Sequence, residues 1–313
     1  MKKRFVTKKK MKFKAKLSLF IIIKLIAFFC CFNLLYSKIQ NKIDDKTIIN
    51  FLLDTNINTK INLNDIINLN SAEFIFKYSL GIDLTKNDEE VKAEEVMGDY
   101  VDDPAPVTLD KPIIYIYNSH QTESYSKEVL MAYNISPTVM LASYMLREKL
   151  NDLGIPTIVE TNNIKDVLNK NGWTYKSSYK ASRILLEEAK KNYPSLKYFI
   201  DIHRDSSKYE KTTAKIDKKS YAKVLFVVGL DYPNYKDNLA KAIELNEKIK
   251  KINSNLTRGI LKKTGSNVNG IYNQDFNNNT FLIEIGGQYN YIDEVKNTVD
   301  ILANIIYEYV KEI

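Results

Sequence analysis

Leu17 to Tyr36 is apolar except for Ser18, Lys24 and Asn33. At about 1.5 Å per residue, a helix of that length crosses the ~30 Å hydrocarbon core of a bilayer. Residues 44–84 carry only short apolar groups, Ile48, Ile49, Phe51 and Leu52 and then Phe74, Ile75, Tyr78 and Leu80, which predict two or three small helices. Between Asn87 and Asp110 nine acids stand against one Lys, with Pro104 and Pro106, and this stretch reads as an extended, solvated linker.

From residue 112 the pattern alternates. Ile113–Tyr117 is a short β-branched and aromatic run bounded by Pro112 and Asn118, the mark of a buried strand. Val139, Ala142, Leu146, Leu150 and Leu153 keep helical spacing, and Gly154 caps that helix. Further strands are expected at Ile155–Val159, Tyr198–Ile202, Val224–Val228 (paired with a strand near Thr212–Ile216) and Phe281–Ile285. Helices are expected at Ser178–Asn192, on a face of Leu239, Ile243, Leu245, Ile249 and Ile252, and on a closing face of Val295, Val299, Leu302, Ile306 and Val310. Near-continuous apolar strands alternating with helices predict an α/β domain with a largely parallel sheet flanked by helices.

Charge sharpens this division. The chain of 313 residues has a net charge of +8, but nine Lys/Arg and no acid lie in residues 1–16, which leaves −1 for the rest. A near-neutral body argues against a basic groove for nucleic acid. The cationic flank orients the apolar span with its N-terminus in the cytoplasm, and Lys24 is close enough to that end to snorkel. No small-x-small site follows Ala27, and Phe29 precedes Cys30 where a lipoprotein needs a small residue, so an uncleaved anchor is expected rather than a signal peptide. Both cysteines, Cys30 and Cys31, fall inside the span, so the remainder can form neither a disulfide nor a thiolate metal site. An extracytoplasmic domain without disulfides suits a Gram-positive bacterium. The expected organisation is a basic tail (1–16), a transmembrane anchor (17–36), a small helical stalk or module (37–86), an acidic linker (87–111) and an α/β domain (112–313).

In largely parallel sheets, ligands bind outside the carboxyl ends of the strands. The chain has only two histidines, His120 and His203, and both follow predicted strands, in Asn118–Tyr125 and Asp201–Ser206. Two imidazoles at equivalent sheet ends point to a shared metal or catalytic site, and imidazole with carboxylate suits zinc. Glu284 lies inside an apolar strand ahead of Gly286–Gly287. It is either a paired structural group or a base whose pKa burial has raised. A serine nucleophile at Ser119 or Ser124 is disfavoured, since no G-x-S-x-G elbow is present.

Four segments, Ile116–Tyr125, Asp201–Ser206, Tyr272–Asp275 and Leu282–Gly287, occur in the order found in the stage II sporulation protein P family, which the chain resembles over roughly 112–311. The resemblance implies a zinc-dependent N-acetylmuramoyl-L-alanine amidase of the zinc amidase fold. Such enzymes strip stem peptides from peptidoglycan, and this family is also credited with endopeptidase cleavage. It implies action at the septal membrane during engulfment, with stage II sporulation proteins D and M as partners. Carried over by position, His120 and His203 match the histidine ligands and Glu284 the catalytic glutamate. For the third ligand Glu123 is favoured over Glu128, because His-x-x-Glu can set both groups on one side of a turn. Arg204 either anchors a carboxylate of the stem peptide or makes a structural ion pair with Asp201 or Asp205. The rival readings are a zinc peptidase that cuts stem peptides and a non-catalytic wall-binding scaffold.

Overall fold

A computed structural model of the chain describes residues 97–126, 136–266 and 268–312. The expected anchor at 17–36 and stalk at 37–86 lie outside them. Among the described residues no helix is long and apolar enough to cross a membrane.

The elements run β1 (Ile114–Tyr117), α1 (Val139–Asp152), β2 (Thr157–Val159), α2 (Ile164–Lys170), α3 (Ser178–Asn192), β3 (Tyr198–Asp205), α4 (Tyr209–Thr212), β4 (Thr213–Ile216), β5 (Lys219–Ala222), β6 (Val224–Gly229), α5 (Tyr235–Ile252), β7 (Thr257–Lys263), β8 (Thr280–Gly287) and α6 (Ile292–Lys311). Six strands form one sheet in the order β2-β1-β3-β8-β6-β7. The first four are mutually parallel, β6 runs antiparallel to β8, and β7 runs parallel to β6. The fold is therefore mixed α/β with a mostly parallel sheet between helices.

Strand periodicity sorts side chains to the two faces. On one face Tyr115, Tyr117 and Phe199 pack with Leu186 and Ala189 of α3. On the other, Tyr198 and Phe281 meet the ring of Tyr309 in α6. Asp201, His203 and Glu284 follow Phe199 and Leu282 by even steps, so they share the α3 face.

Several expectations need correction. His203 lies within β3 rather than beyond it, because the ladder with β8 extends the strand, pairing His203 with Glu284. β4 pairs with β5, not with β6, in a separate two-stranded hairpin. Its turn, Asp217 and Lys218 at φ 48° and 67°, is a two-residue turn with both central residues left-handed, which closes the strands before β6 is reached. The helix α5 buries Asn238, Ala242, Leu245, Asn246 and Ile249, while Ile243 and Ile252 face solvent. Two buried asparagines explain the misjudged face. Asn238 donates to the carbonyls of Asn277 and Thr280, and Asn246 accepts from Thr257, so polar residues occupy the core stripe.

Residues 87–96 of the expected acidic linker lie outside the described residues, and 97–111 depart from the solvated linker that their composition predicts. Residues from Met97 onward lie against the domain. Gly98 N donates to Thr122 O at 2.7 Å, Met97 forms a β-bridge with Glu123, and Tyr144 Oη donates to Val101 O at 2.8 Å. Arg147 of α1 is 1% exposed, and its guanidinium grips Asp103 with both terminal nitrogens, the Nη2 contact at 3.0 Å. A buried cation needs such partners, and one of the acids that suggested a linker supplies them.

Removing one member of a buried pair strands the other. Asp103→Ala is expected to destabilise the domain by about 3 kcal/mol in urea unfolding. Glu148→Ala, at the more exposed end of the same guanidinium, is expected to cost under about 1 kcal/mol.

Candidate metal centre

The segment after β1 is fixed at almost every step. Asn118 Nδ2 donates to Ile202 O at 2.7 Å, and Ser119 N donates to Asp201 Oδ1 at 2.9 Å, which lashes the segment to β3. Gln121 spans to α2, accepting from Ile164 N at 2.8 Å and donating to Asn162 O at 2.9 Å. Glu123 N donates back to His120 O at 3.1 Å, closing a turn that sets both side chains on one side. Beyond it, Val139 N donates to Glu123 O at 3.0 Å, so the start of α1 holds the exit.

This turn delivers Glu123 between two imidazoles. Its Oε1 lies 3.5 Å from His120 Nδ1 and its Oε2 lies 3.2 Å from His203 Nδ1. The Arg204 amide also donates to Oε2, at 3.1 Å. The imidazole centroids are 5.2 Å apart with the planes nearly perpendicular, at 86°. One ligand atom from each of His120, Glu123 and His203 falls within 4.8 Å of the others, so the three could hold one metal ion. Two nitrogens and a carboxylate oxygen, partly buried and converging without an ammonium or guanidinium among them, are a donor set that a divalent cation fits.

The electrostatics follow from this packing. Burial alone would raise the Glu123 pKa, but His203 and His120 outweigh it and hold the carboxyl well below the usual range. Burial alone would lower the His203 pKa, but Asp201 and Glu123 raise it well above the ordinary imidazole value. Glu284, beside His203 on the neighbouring strand, goes the other way. Burial, reinforced by Asp205, pushes its carboxyl up to about 7, and Oε2 is buried with no hydrogen-bond partner.

The strand that carries Glu284 is shaped for this position. Its ladder with β3 slips between His203 and Asp205, where a bulge spends two residues of β8 on one of β3. Gly286 sits in that bulge at φ +68°, and a Cβ there would stand 2.6 Å from Asn290 Oδ1. Only glycine fits both conditions.

The structure thus brings together His120, Glu123, His203 and Glu284 of the residues picked out in the sequence. Glu128 lies outside the described residues. Arg204 is not displayed toward a ligand: it is 4% exposed, and its Nε donates to Ser124 O at 3.2 Å. The ion pair to Asp205 comes instead from Arg258 of β7. Burial of Arg204 follows from its place in a central strand, where each residue is covered from one face or the other. Ser119 and Ser124 are wholly buried, Ser119 Oγ donating to Asp201 and Ser124 Oγ to Tyr125 O.

Sequence reasoning passed over an aromatic wall. Tyr175, 44% exposed, stacks on His120 at 5.0 Å, and Tyr179 meets His120 edge-on at 5.2 Å while stacking on His203 at 6.0 Å. In a chain with 21 tyrosines nothing in the sequence separates these two from the rest.

Comparison with known proteins agrees with the arrangement of motifs. The family model described as stage II sporulation protein P matches residues 50–307, which reaches well before the residue-112 start of the sequence resemblance. Stage II sporulation protein P of Bacillus subtilis (strain 168) is 35% identical over 227 residues, covering 70% of this chain and 57% of that protein. The chain thus spans little more than half the length of that relative. The crystal structure of N-acetylmuramoyl-L-alanine amidase from Clostridium difficile 630 superposes with a TM-score of 0.39 at 16% identity, over 65% of this chain and 97% of the other, a likeness too slight to bear on the chemistry. The family match over most of the chain and the identity to its Bacillus subtilis relative place this chain in the stage II sporulation protein P family.

Proposed function

We propose that the chain is a membrane-anchored, zinc-dependent N-acetylmuramoyl-L-alanine amidase that degrades septal peptidoglycan during sporulation. The observation that carries the reading is the convergence of His120, Glu123 and His203 beside a buried Glu284 whose Oε2 has no partner. Family membership supports the sporulation context.

In this reading His120, Glu123 and His203 hold zinc. When bound, zinc supplies a Lewis acid and a water whose pKa falls toward about 7. Glu284 takes the proton of the attacking water at a carboxylate oxygen and returns it to the departing L-alanine nitrogen. Its burial suits both halves of that exchange, because a carboxyl titrating near neutrality accepts and releases a proton at comparable cost. Glu123, kept ionised by the two imidazoles, serves as a ligand and not as a proton carrier. Tyr175 and Tyr179 wall the His120 side and give the substrate an apolar surface to pack against.

The remaining assignments belong to the same proposal. Residues 17–36 anchor the chain with the N-terminus cytoplasmic, residues 37–96 hold the catalytic domain off the membrane, and the substrate is wall peptidoglycan at the sporulation septum. Stage II sporulation proteins D and M are the partners that this setting predicts.

Incubated with purified peptidoglycan, the full chain is expected to release stem peptides beginning with L-alanine, identified by mass spectrometry. A chelator should abolish release and zinc should restore it. Cross-link cleavage alone would make the protein an endopeptidase, and no product from folded, zinc-loaded protein would favour a scaffold or an enzyme that requires its partner for activation. Glu284→Gln is expected to keep zinc and to lower turnover by about 100-fold or more. Near-parental turnover would remove Glu284 from the reaction. Glu123→Gln, in contrast, should weaken zinc binding in a chelator competition, and an unchanged affinity would take Glu123 out of the ligand set.

A further inference from the structure

We infer that Asp201 is a positioning residue for the metal centre, its carboxylate taking the Nε2–H of His203 so that Nδ1 keeps its lone pair for the metal. The inference rests on the zinc reading above. Asp201 is fully buried in the middle of β3, between Ile200 and Ile202, where an ionised carboxylate is costly unless its oxygens are engaged. They are engaged. Oδ2 accepts from Ser119 Oγ at 2.7 Å, and Oδ1 accepts from Ser119 N at 2.9 Å while lying 3.0 Å from His203 Nε2. That last approach is at ion-pair distance, although its angle falls short of a hydrogen bond in this conformation, so the ring needs only to turn and not to travel. The other ring nitrogen, Nδ1, faces Glu123 Oε2 and hence the remaining ligand atoms. A carboxylate behind a ligating imidazole fixes its tautomer and its orientation.

The motif Tyr272–Asp275, which the proposed reaction does not use, supports this arrangement from behind. Tyr272 and Asn273 are both left-handed, at φ 54° and 56°, a costly conformation for such residues. It places Asn273 Nδ2 at 3.0 Å from both Ser182 Oγ and Tyr179 O, and Asp275 at 2.8 Å from Arg183. Ser182 Oγ lies 2.7 Å from Ser119 Oγ. A continuous line of polar contacts therefore runs from Asn273 through Ser182 and Ser119 to Asp201, and ends at His203.

The test uses the full chain with zinc as the probe. The chain has two histidines, so nitrogen-15 labelling of histidine gives two rings, told apart by a His120→Gln variant. The expected result is a His203 ring with zinc on Nδ1 and a proton on Nε2. Asp201→Asn should lower zinc affinity about 10- to 100-fold in a chelator competition. Ser182→Ala, which loosens the network one contact further from His203, should lower zinc affinity by less than Asp201→Asn does, and an equal or larger loss would overturn the inference. Zinc found on Nε2, or parental affinity in Asp201→Asn, overturns the inference and leaves the zinc reading standing. A parent protein that binds no zinc overturns both. Should Asp201→Asn fail to fold, the ring-nitrogen spectrum of the parent decides alone.

Discussion

The Glu123 carboxylate is the point on which the candidate site closes. Its two oxygens reach two imidazoles carried by different parts of the fold, one in its own turn and one in β3, and the backbone amide of residue 204 binds the same oxygen as His203. Because β3 is flanked by β1 on one side and β8 on the other, whatever fixes Glu123 against it also fixes the relation of the β1 exit to Glu284. The bridges to Met97 and the start of α1 add further restraints on the same turn. Preorganisation of this kind comes from backbone ladders, whose geometry is set when the sheet forms.

Three of the carboxylates around the two imidazoles, Glu123, Glu284 and Asp205, are sent different ways by their surroundings. Glu123 gains more from two imidazoles than burial costs it and stays ionised. Glu284 is buried with one oxygen unpartnered and with Asp205 nearby, and its pKa rises to about 7. Asp205 is held below its ordinary value, since Arg258 and the Ser207 amide outweigh its own burial. Pairs of acids whose environments separate their pKa values are the usual basis for dividing ligand, base and structural roles. The separation here follows from the neighbours that each carboxylate faces, two imidazoles for Glu123 and Arg258 for Asp205.

Much of this was legible along the chain. β-branched and aromatic runs marked β1, β3, β6 and β8, and helical spacing marked α1, α3 and α6, because those elements are buried and their periodicity is undiluted. The weaker elements escaped for physical reasons. α2 has seven residues, too few to show a helical period, and β7 is a half-exposed edge carrying Arg258, Lys262 and Lys263. The α5 face was misjudged because asparagines with backbone partners stand in its core stripe. The acids at 87–111 promised solvent, yet Asp103 turns inward because a buried arginine needs it.

The sequence by itself determined the α/β alternation, the confinement of excess charge to the first sixteen residues, and the small set of histidine and carboxylate candidates at strand ends. These are local properties, written in composition and in periods of two and 3.6 residues. Tertiary structure decided the rest. It placed Glu123 between the imidazoles, and it buried Arg204 in a central strand. It also set Asp201 behind His203 and stacked Tyr175 on His120. Most of those outcomes depend on strand register and on contacts between residues far apart in the chain, about eighty positions in the case of Ser119 with Asp201. Long-range neighbours of that kind leave no pattern in a local window, because only the paired sheet brings them within a few ångströms.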